Sequence, residues 1–348
     1  MNGTPSLLAD RPAALAAVAD ATPTRRGGSL IGAMLLLVLL AFPALATALD
    51  ESFYIGFASR VMIFALAASS LNLILGFGGM VSFGHAAFFG GGAYVVGMLS
   101  AGISHAIGLL PGTQSAWIAW PAAMLISGVL AALIGAISLR TRGVSFIMIT
   151  LAFAQMIYYL FVSMKTYGGD EGMNLDGRSH IGFGLDLADD TTFYYVVLAL
   201  LAASMFVMQR LVQSRFGAVI GGIRENETRM EAVGYNTYLY KLVCFVIAGV
   251  LAGLAGALIA NQNTFVSPRM LDWHQSGLLM MMVILGGVGR PWGGVIGAVA
   301  ILLFEEILSG YTQYWQFWLG LLLLALVIVA PKGLAGLTDR FISHGGAR

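Results

Sequence analysis

Long stretches without charged residues constrain this sequence more than any other feature. Between Val61 and Leu139 there is no Asp, Glu, Lys or Arg. Further uncharged stretches cover residues 27–49, 143–164, 242–268 and 307–331. A helix needs about 20 apolar residues to cross a bilayer, because every backbone N–H and C=O must be paired within the chain in hydrocarbon. The sequence therefore predicts an all-α polytopic membrane protein.

Composition excludes several other classes of protein. The chain is 58% hydrophobic and only 10% charged, whereas soluble domains carry about 25% charged residues, so a water-soluble fold is excluded. A formal charge of +1 argues against a nucleic-acid partner. Cys244 is the single cysteine, which leaves no disulfide framework or thiolate metal site. The 45 glycines fit close helix packing, and we expect the Gly90–Gly92 run to serve it.

About ten transmembrane helices are predicted, some of them short or broken. They span 29–49, 53–74, 85–103, 117–139, 143–164, 191–209, 240–262, 273–288, 291–309 and 314–331. If both termini lie in the cytoplasm, only four of the 18 Lys and Arg residues fall outside the cell and the others are cytoplasmic. The positive-inside rule favours this orientation. Those four are Arg60, Lys165, Arg178 and Arg269. The predicted permease domain is 29–337, between cytoplasmic tails at 1–28 and 338–348.

An acidic segment at 165–190 falls outside the membrane in this topology. It carries Asp170, Glu171, Asp176, Asp186, Asp189 and Asp190. Such a loop either meets a soluble partner or simply stays hydrated.

A predicted helix breaks at membrane depth within residues 69–85. Closely spaced glycines there stand among polar residues, and irregular backbone is tolerated at that depth only when it is buried in protein or lines a water-filled cavity. Broken helices mark many substrate pathways. We therefore take Asn72, Ser82 and His85 as candidate path residues. The alternatives are a glycine hinge in a tight interface and a histidine that is hydrogen-bonded across helices.

Two further path candidates, Thr150 and Gln155, lie on one predicted helix. Five residues of helix turn them about 140° apart, so they do not form one stripe. A second glycine break, within residues 285–294, weakly echoes the first at 75–79. Internal repeats are common in transporter folds.

The predicted cytoplasmic segment 213–236 has the features of a docking helix. Its apolar positions are spaced along a helix, Glu225 and Arg229 form an i,i+4 pair, and Gly234 suits a helix stop. An amphipathic helix of this kind can dock into a groove on a partner. The alternative is a charged surface helix that touches only lipid headgroups.

Motifs of a motor or of a common catalytic centre are missing. The sequence contains no G-x-x-x-x-G-K-[ST] phosphate loop, no H-E-x-x-H and no G-x-S-x-G. No span carries the paired buried charges that proton or sodium coupling leaves in a bundle. Glu305 and Glu306 come nearest, at the outer end of a span, where we expect a carboxylate to reach water.

Several of these segments together resemble the permeases of branched-chain amino-acid ABC transporters, specifically the LivM-like branch. The resemblance covers about residues 55–337. The segments that carry it are 71–73 with 84–88, 142–146 with 150–156, the external 168–172, and 214–217 with 223–227.

The resemblance implies a permease in the bacterial inner membrane with no cofactor and no catalysis of its own. ATP and Mg²⁺ would bind two cytoplasmic ATPase subunits. Further implied partners are a LivH-like sister permease and a periplasmic substrate-binding protein, together with membrane lipid. The family's coupling helix would lie within 213–236. Its contact residues would be Arg215, Arg224, Glu225, Asn226 and Glu227.

The substrate is left open by the resemblance. Branched-chain or related small amino acids are the first expectation, with urea, short amides or other small organic solutes as the alternative. An autonomous secondary transporter or channel is a further hypothesis. A membrane scaffold or enzyme would need a polar constellation that the sequence does not show.

Overall fold

The fold is helical throughout the part of the chain that a computed structural model describes, namely residues 39–43, 53–100, 113–182, 186–329 and 333–334. The helices are α1 (Phe53–Asn72), a π-helix (Leu73–Phe77), α2 (His85–Ser100), α3 (Ala116–Ser138), α4 (Val144–Ser163), α5 (Asp190–Gln213), α6 (Arg215–Glu225), α7 (Glu227–Ala232), α8 (Thr237–Asn263), α9 (Trp273–Gly286), α10 (Gly293–Ser309) and α11 (Trp315–Val329). Two strands, β1 (Met173–Asn174) and β2 (Phe265–Val266), complete it.

Each predicted span from residue 53 onward coincides with a helix. In the described residues, five helical segments are long and apolar enough to cross a membrane: α1 with its π-helix, α3, α4, α5 and α8. Two others, α9 and α10, have 14 and 17 residues. That is shorter than the roughly 20 residues of a full crossing. The helices α2 and α11 extend to the limits of the described residues. The chain is therefore a multi-pass helical membrane protein.

Some predictions fall on residues that the structure does not describe. The predicted tails at 1–28 and 338–348 lie wholly outside it. Of the first span, 29–49, only 39–43 is described, and it is helical.

The helices α1, α2 and α8 form the centre of the bundle, and small residues bring them together. In the apolar 18-residue stretch of each spanning helix, 83% is buried in α1 and 72% in α8, against 22% in α4. An added Cβ on Gly92 of α2 would overlap the carbonyl of Gly253 in α8, and one on Gly256 would overlap the carbonyl of Phe89. Lipid tails are as apolar as the helices, so close backbone approach holds them together. The packing role expected for the Gly90–Gly92 run is confirmed.

One end of the bundle carries the acidic segment at 165–190, which is anchored to its neighbours. Strand β1 pairs antiparallel with β2, with Met173 opposite Val266. Arg178 binds Asp190 at 2.6 Å and packs on the ring of Phe193. All six acidic residues of the segment are exposed. The described parts of the segment, 165–182 and 186–190, are thus structured, and their acidic residues are exposed.

The opposite end carries α6, α7 and most of the described basic residues. Arg142 lies 3.4 Å from Glu227 and 3.5 Å from Glu231, while Lys241 also binds Glu227. These ion pairs join the α3–α4 loop to α7 and to the start of α8. Loops that the charge rule assigns to one side of the membrane therefore meet at one end of the molecule.

Glu305 and Glu306 of α10 are both partly exposed. Arg60 of α1 pairs with Glu305 at 3.5 Å, a partner that the sequence analysis did not foresee. The Glu305 side chain is 19% exposed. Helix periodicity could not show that these two residues, 245 positions apart, face each other.

We expect Gly256→Val to destabilise the protein, because the new side chain would separate α2 from α8. Overpacking of a core contact costs about 1–3 kcal/mol. Thermal unfolding in detergent measures the loss. Gly277→Ala is the matched control, since nothing lies within 4 Å of its added Cβ. Equal melting temperatures for the two variants would contradict the packing role of Gly256.

Candidate functional site

The first helix break begins where α1 changes into a π-helix. The amide of Gly78 donates to Leu73 O at 3.2 Å and that of Met80 donates to Ile74 O at 2.9 Å. Gly79 has φ +68°, a left-handed conformation that favours glycine. The chain then stays non-helical until α2 begins at His85. The break predicted from the sequence is confirmed.

Asn72 joins this break to the second one, between α9 and α10. Its Nδ2 donates to the Arg290 carbonyl at 2.7 Å, and its Oδ1 accepts from the Gly289 amide at 3.0 Å. The side chain is 1% exposed. An added Cβ on Gly76 would overlap Gly289, so the two backbones touch. The segments that echo each other in sequence are therefore in contact.

Side chains from α4 and α9 hydrogen-bond the backbone at the end of the first break, just before and at the start of α2. The Thr150 hydroxyl of α4 accepts from the Phe83 amide at 3.3 Å. Ser276 of α9 donates to the Phe83 carbonyl at 2.7 Å and accepts from the Ala86 amide at 2.8 Å. Ser82 accepts from the Gly84 amide at 3.1 Å. Each bond satisfies a backbone group that the break would otherwise leave unpaired in hydrocarbon.

His85 is fully buried at the start of α2. The Ser70 hydroxyl donates to Ala67 O at 2.7 Å, and it lies 2.8 Å from His85 Nε2. Because the hydroxyl proton is used, the ring nitrogen Nε2 carries the proton of this contact. Among the described residues Nδ1 has no hydrogen-bond partner. The helix-to-helix hydrogen bond that the sequence analysis gave as the alternative is thus present.

Gln155 lies apart from the other predicted path residues. Its Nε2 donates to Asp272 Oδ1 at 3.0 Å, and His274 Nδ1 contacts the other carboxylate oxygen at 2.8 Å. Burial raises the pKa of the Asp272 carboxyl, but the hydrogen bonds from His274 and Gln155 outweigh it, so the pKa is below its ordinary value. Thr150 and Gln155 have different neighbours, as their angular separation predicts.

A small cavity of about 50 Å³ lies beside Asn72. It is lined by Ser69, Asn72, Leu73, Phe77, Met205, Met208, Gln209, Val212, Gln213 and Pro291. The Ser69 hydroxyl is buried and has no hydrogen-bond partner among the described residues. The structure therefore brings Asn72 to a cavity. Ser82, His85 and Thr150 are buried and do not line it, and Gln155 does not line it either.

Arg224 connects the predicted docking segment to both breaks. It is the penultimate residue of α6, and its guanidinium donates to the carbonyl of Gly76. The same guanidinium would lie 3.2 Å from an added Cβ on Gly289, and Arg224 Cγ would lie 2.9 Å from one on Gly79. Two glycines, Gly79 and Gly289, thus leave room for one arginine. Its contact is inside this chain, which the sequence analysis did not foresee.

The docking segment is two helices, and the single helix predicted over it was wrong. Asn226 separates α6 from α7 and caps α7, with its side chain accepting from the Arg229 amide at 2.9 Å. Glu225 and Arg229 lie on different helices, so the expected i,i+4 pair is absent from the ion pairs of the described residues. Gly234 follows the end of α7 with φ +98°, as predicted.

Four of the five predicted coupling residues are exposed, namely Arg215, Arg224, Glu225 and Asn226, and Glu227 is half-buried. Arg215 and Glu225 lie at the two ends of α6. Glu227 is held by Lys241 and Arg142. The sequence analysis missed Ser276, and a single serine in an apolar helix gives no signal for the backbone cap that it forms.

We expect Asn72→Leu to lower stability and loosen the contact between the breaks. Leucine would leave the Gly289 amide and the Arg290 carbonyl without this partner, at about 1–3 kcal/mol for each buried group. Thermal unfolding and hydrogen exchange at Gly289 measure the effect. Asn263→Leu is the control, because Asn263 is exposed at the end of α8. Unchanged exchange at Gly289 would contradict the bridging role.

The comparisons with known proteins agree on one family. The family model described as "Branched-chain amino acid transport system / permease component" matches residues 53–331. The high-affinity branched-chain amino acid transport system permease protein LivM of Salmonella typhimurium is 28% identical over 305 residues, which cover 81% of this chain and 69% of that protein. LivM of Escherichia coli is 27% identical over 304 residues, with the same coverage.

A second group of relatives comes from the same kind of transport system. The permease protein LivH of Escherichia coli is 24% identical over 290 residues, which cover 78% of this chain and 91% of LivH. No solved structure matches the chain. The family match includes both helix breaks and the segment from α6 to α7 that contacts them. The chain therefore belongs to the permease component family of branched-chain amino acid transport systems.

Proposed function

We propose that this chain is one permease subunit of an ABC importer that moves branched-chain or related small amino acids across the bacterial inner membrane. The observation that carries the proposal is the contact of Arg224 with Gly76, which links an exposed helix pair to a break inside the bundle. Family membership over residues 53–331 supports the class of transporter. The names of the LivM relatives support the substrate class.

The helix pair α6 and α7 is the proposed docking site for an ATPase subunit. Val219, Ile220 and Ile223 of α6 are buried against the bundle. Arg215 and Glu225 are exposed and available to a partner. Through Glu227, α7 is bound to Arg142 and Lys241, so it moves with the adjoining ends of α4 and α8. A displacement of α6 would therefore be transmitted to several membrane helices.

Arg224 is the proposed positioning residue of this coupling. A shift of α6 would pull on the Gly76 carbonyl and press on Gly79 and Gly289, which surround the arginine. Asn72 would pass the shift between the first break and the second. Helix breaks can move with few lost backbone bonds, because polar side chains already satisfy them.

The remaining parts of the importer are proposed on the family resemblance. ATP and Mg²⁺ would bind to two cytoplasmic ATPase subunits, so this chain would hold no cofactor and catalyse no reaction. A LivH-like sister permease would complete the path, with both termini of this chain in the cytoplasm and about ten spans. A periplasmic binding protein would deliver substrate at the end that carries the segment 165–190. Asn72, Ser82, His85, Thr150 and Gln155 remain the candidate path residues.

We expect Arg224→Ala to separate ATP hydrolysis from transport. Losing one charge-assisted hydrogen bond, worth about 1.5–3 kcal/mol, should lower ATP-driven uptake tenfold or more. The ATPase subunits should still copurify, because the side chain contacts this chain. The measurements are amino acid uptake into proteoliposomes and ATPase activity of the same complex. The control is Arg229→Ala, since no hydrogen bond or ion pair joins that exposed guanidinium to the described residues.

Glu225→Ala tests docking separately. Its carboxylate is exposed at the end of α6, so its loss should weaken copurification of the ATPase subunits and leave the fold intact. Normal coupled uptake by both Arg224→Ala and Glu225→Ala would refute the coupling assignment. Uptake by this chain alone, driven by an ion gradient, would refute the importer proposal itself.

A further inference from the structure

A charged pair lies inside two helices that are otherwise almost free of charge. Arg60 is the only charged residue of α1, and it lies about 10 Å along the axis from Phe53 at 1.5 Å per residue. Glu305 lies about 6 Å along the axis of α10 from Ser309, its C-terminal residue. Arg60 NH2 and Glu305 Oε1 are 3.5 Å apart. The pair occupies the groove between α1 and α10.

The pair is partly open to its surroundings. The Arg60 side chain is 41% exposed and the Glu305 side chain is 19% exposed, whereas α1 is buried at every position from Val61 to Asn72. Charged side chains within membrane segments face the bundle interior or a water-filled cavity, since hydrocarbon solvates them poorly. The open side of this pair therefore faces water or a second protein surface.

A third polar side chain is bound to α1 one helical turn from Arg60. Gln262, near the end of α8, donates from Nε2 to the carbonyl of Gly56 at 3.3 Å. Gly56 lies one turn before Arg60, so both are on the same side of α1. The Gln262 Oε1 atom is buried and has no hydrogen-bond partner among the described residues. An unused acceptor thus belongs to a side chain that is held one helical turn from Arg60.

The ion pair is loosely made. Strong bonds between a guanidinium and a carboxylate are about 2.7–2.9 Å long and often bidentate, whereas the structure gives one contact at 3.5 Å. The face of the Phe64 ring lies 5.9 Å from the guanidinium carbon. Both charged groups consequently keep hydrogen-bonding capacity that the other does not use.

We propose that Arg60, Glu305 and Gln262 bind the zwitterionic head group of an amino acid as it enters the permease. The guanidinium of Arg60 receives the carboxylate of the substrate, for which its planar fork is suited. The carboxylate of Glu305 and Oε1 of Gln262 accept the N–H groups of the substrate ammonium. The inference rests on the proposed function, from which it takes the substrate class.

Charge balance favours a zwitterion over other solutes at this site. When a zwitterion separates Arg60 from Glu305, each protein charge gains an opposite charge from the substrate. A simple anion or cation would leave one of the two protein charges without a partner, which is costly in a partly desolvated site. The site lies at the same end of the bundle as the segment 165–190, because Gln262 lies three residues before strand β2, which pairs with β1 of that segment. This is the end at which the proposed function places substrate delivery.

The test measures ATP-driven leucine uptake by the complete complex in proteoliposomes. Arg60→Met and Glu305→Gln should each lower uptake at limiting substrate about tenfold or more, with basal ATPase activity and complex yield retained. Glu306→Gln is the matched control, because successive helix residues point about 100° apart. It should transport like the unaltered protein.

The double variant Arg60→Glu/Glu305→Arg separates recognition from structure. It restores an ion pair between the helices but reverses the charges relative to Gln262, so the expected result is normal thermal stability with uptake still lost. Restored uptake would show that the pair is only structural and would overturn the inference, as would normal uptake by both single variants. Failure of the unaltered complex to take up leucine with ATP would instead refute the proposed amino acid importer and this site with it.

Discussion

The need to pair every backbone polar group inside the membrane governs this structure. Two helices are interrupted within the bundle, and each interruption exposes amides and carbonyls that no helix can satisfy. Asn72 bonds both an amide and a carbonyl of the second break. Thr150 and Ser276 do the same for the first. The buried polar side chains therefore complete the hydrogen bonding of the backbone, and any movement of the breaks must change these hydrogen bonds.

Close packing of small residues holds α2, the helix that follows the first break, against the centre of the bundle. Gly92, Gly253 and Gly256 bring α2 against α8. Glycines also surround Arg224, so that a long cationic side chain from α6 reaches a carbonyl of the first break. One physical property of glycine, the lack of a Cβ, thus gives both a rigid centre and a passage for a connecting side chain.

The charged residues divide the molecule into two ends with different chemistry. Arg142, Glu227 and Lys241 tie the helices around α7 together at one end. The other end carries a loose Arg60–Glu305 pair and a segment whose acidic residues are exposed. The family is a transport permease. A firm charged network at the end proposed for energy input and a weak pair at the end proposed for substrate entry agree with that role.

The sequence alone determined the helical membrane class, the positions of the apolar helices from residue 53 onward, both glycine breaks and the family, because uncharged length and glycine spacing are local properties. It also singled out Asn72 and Thr150, since polar side chains in apolar helices need partners. The partners themselves were decided only by tertiary structure. Ser276, the inward contact of Arg224 and the pairing of Arg60 with Glu305 depend on how distant helices face one another, and a helical period gives a residue's face but not its neighbour.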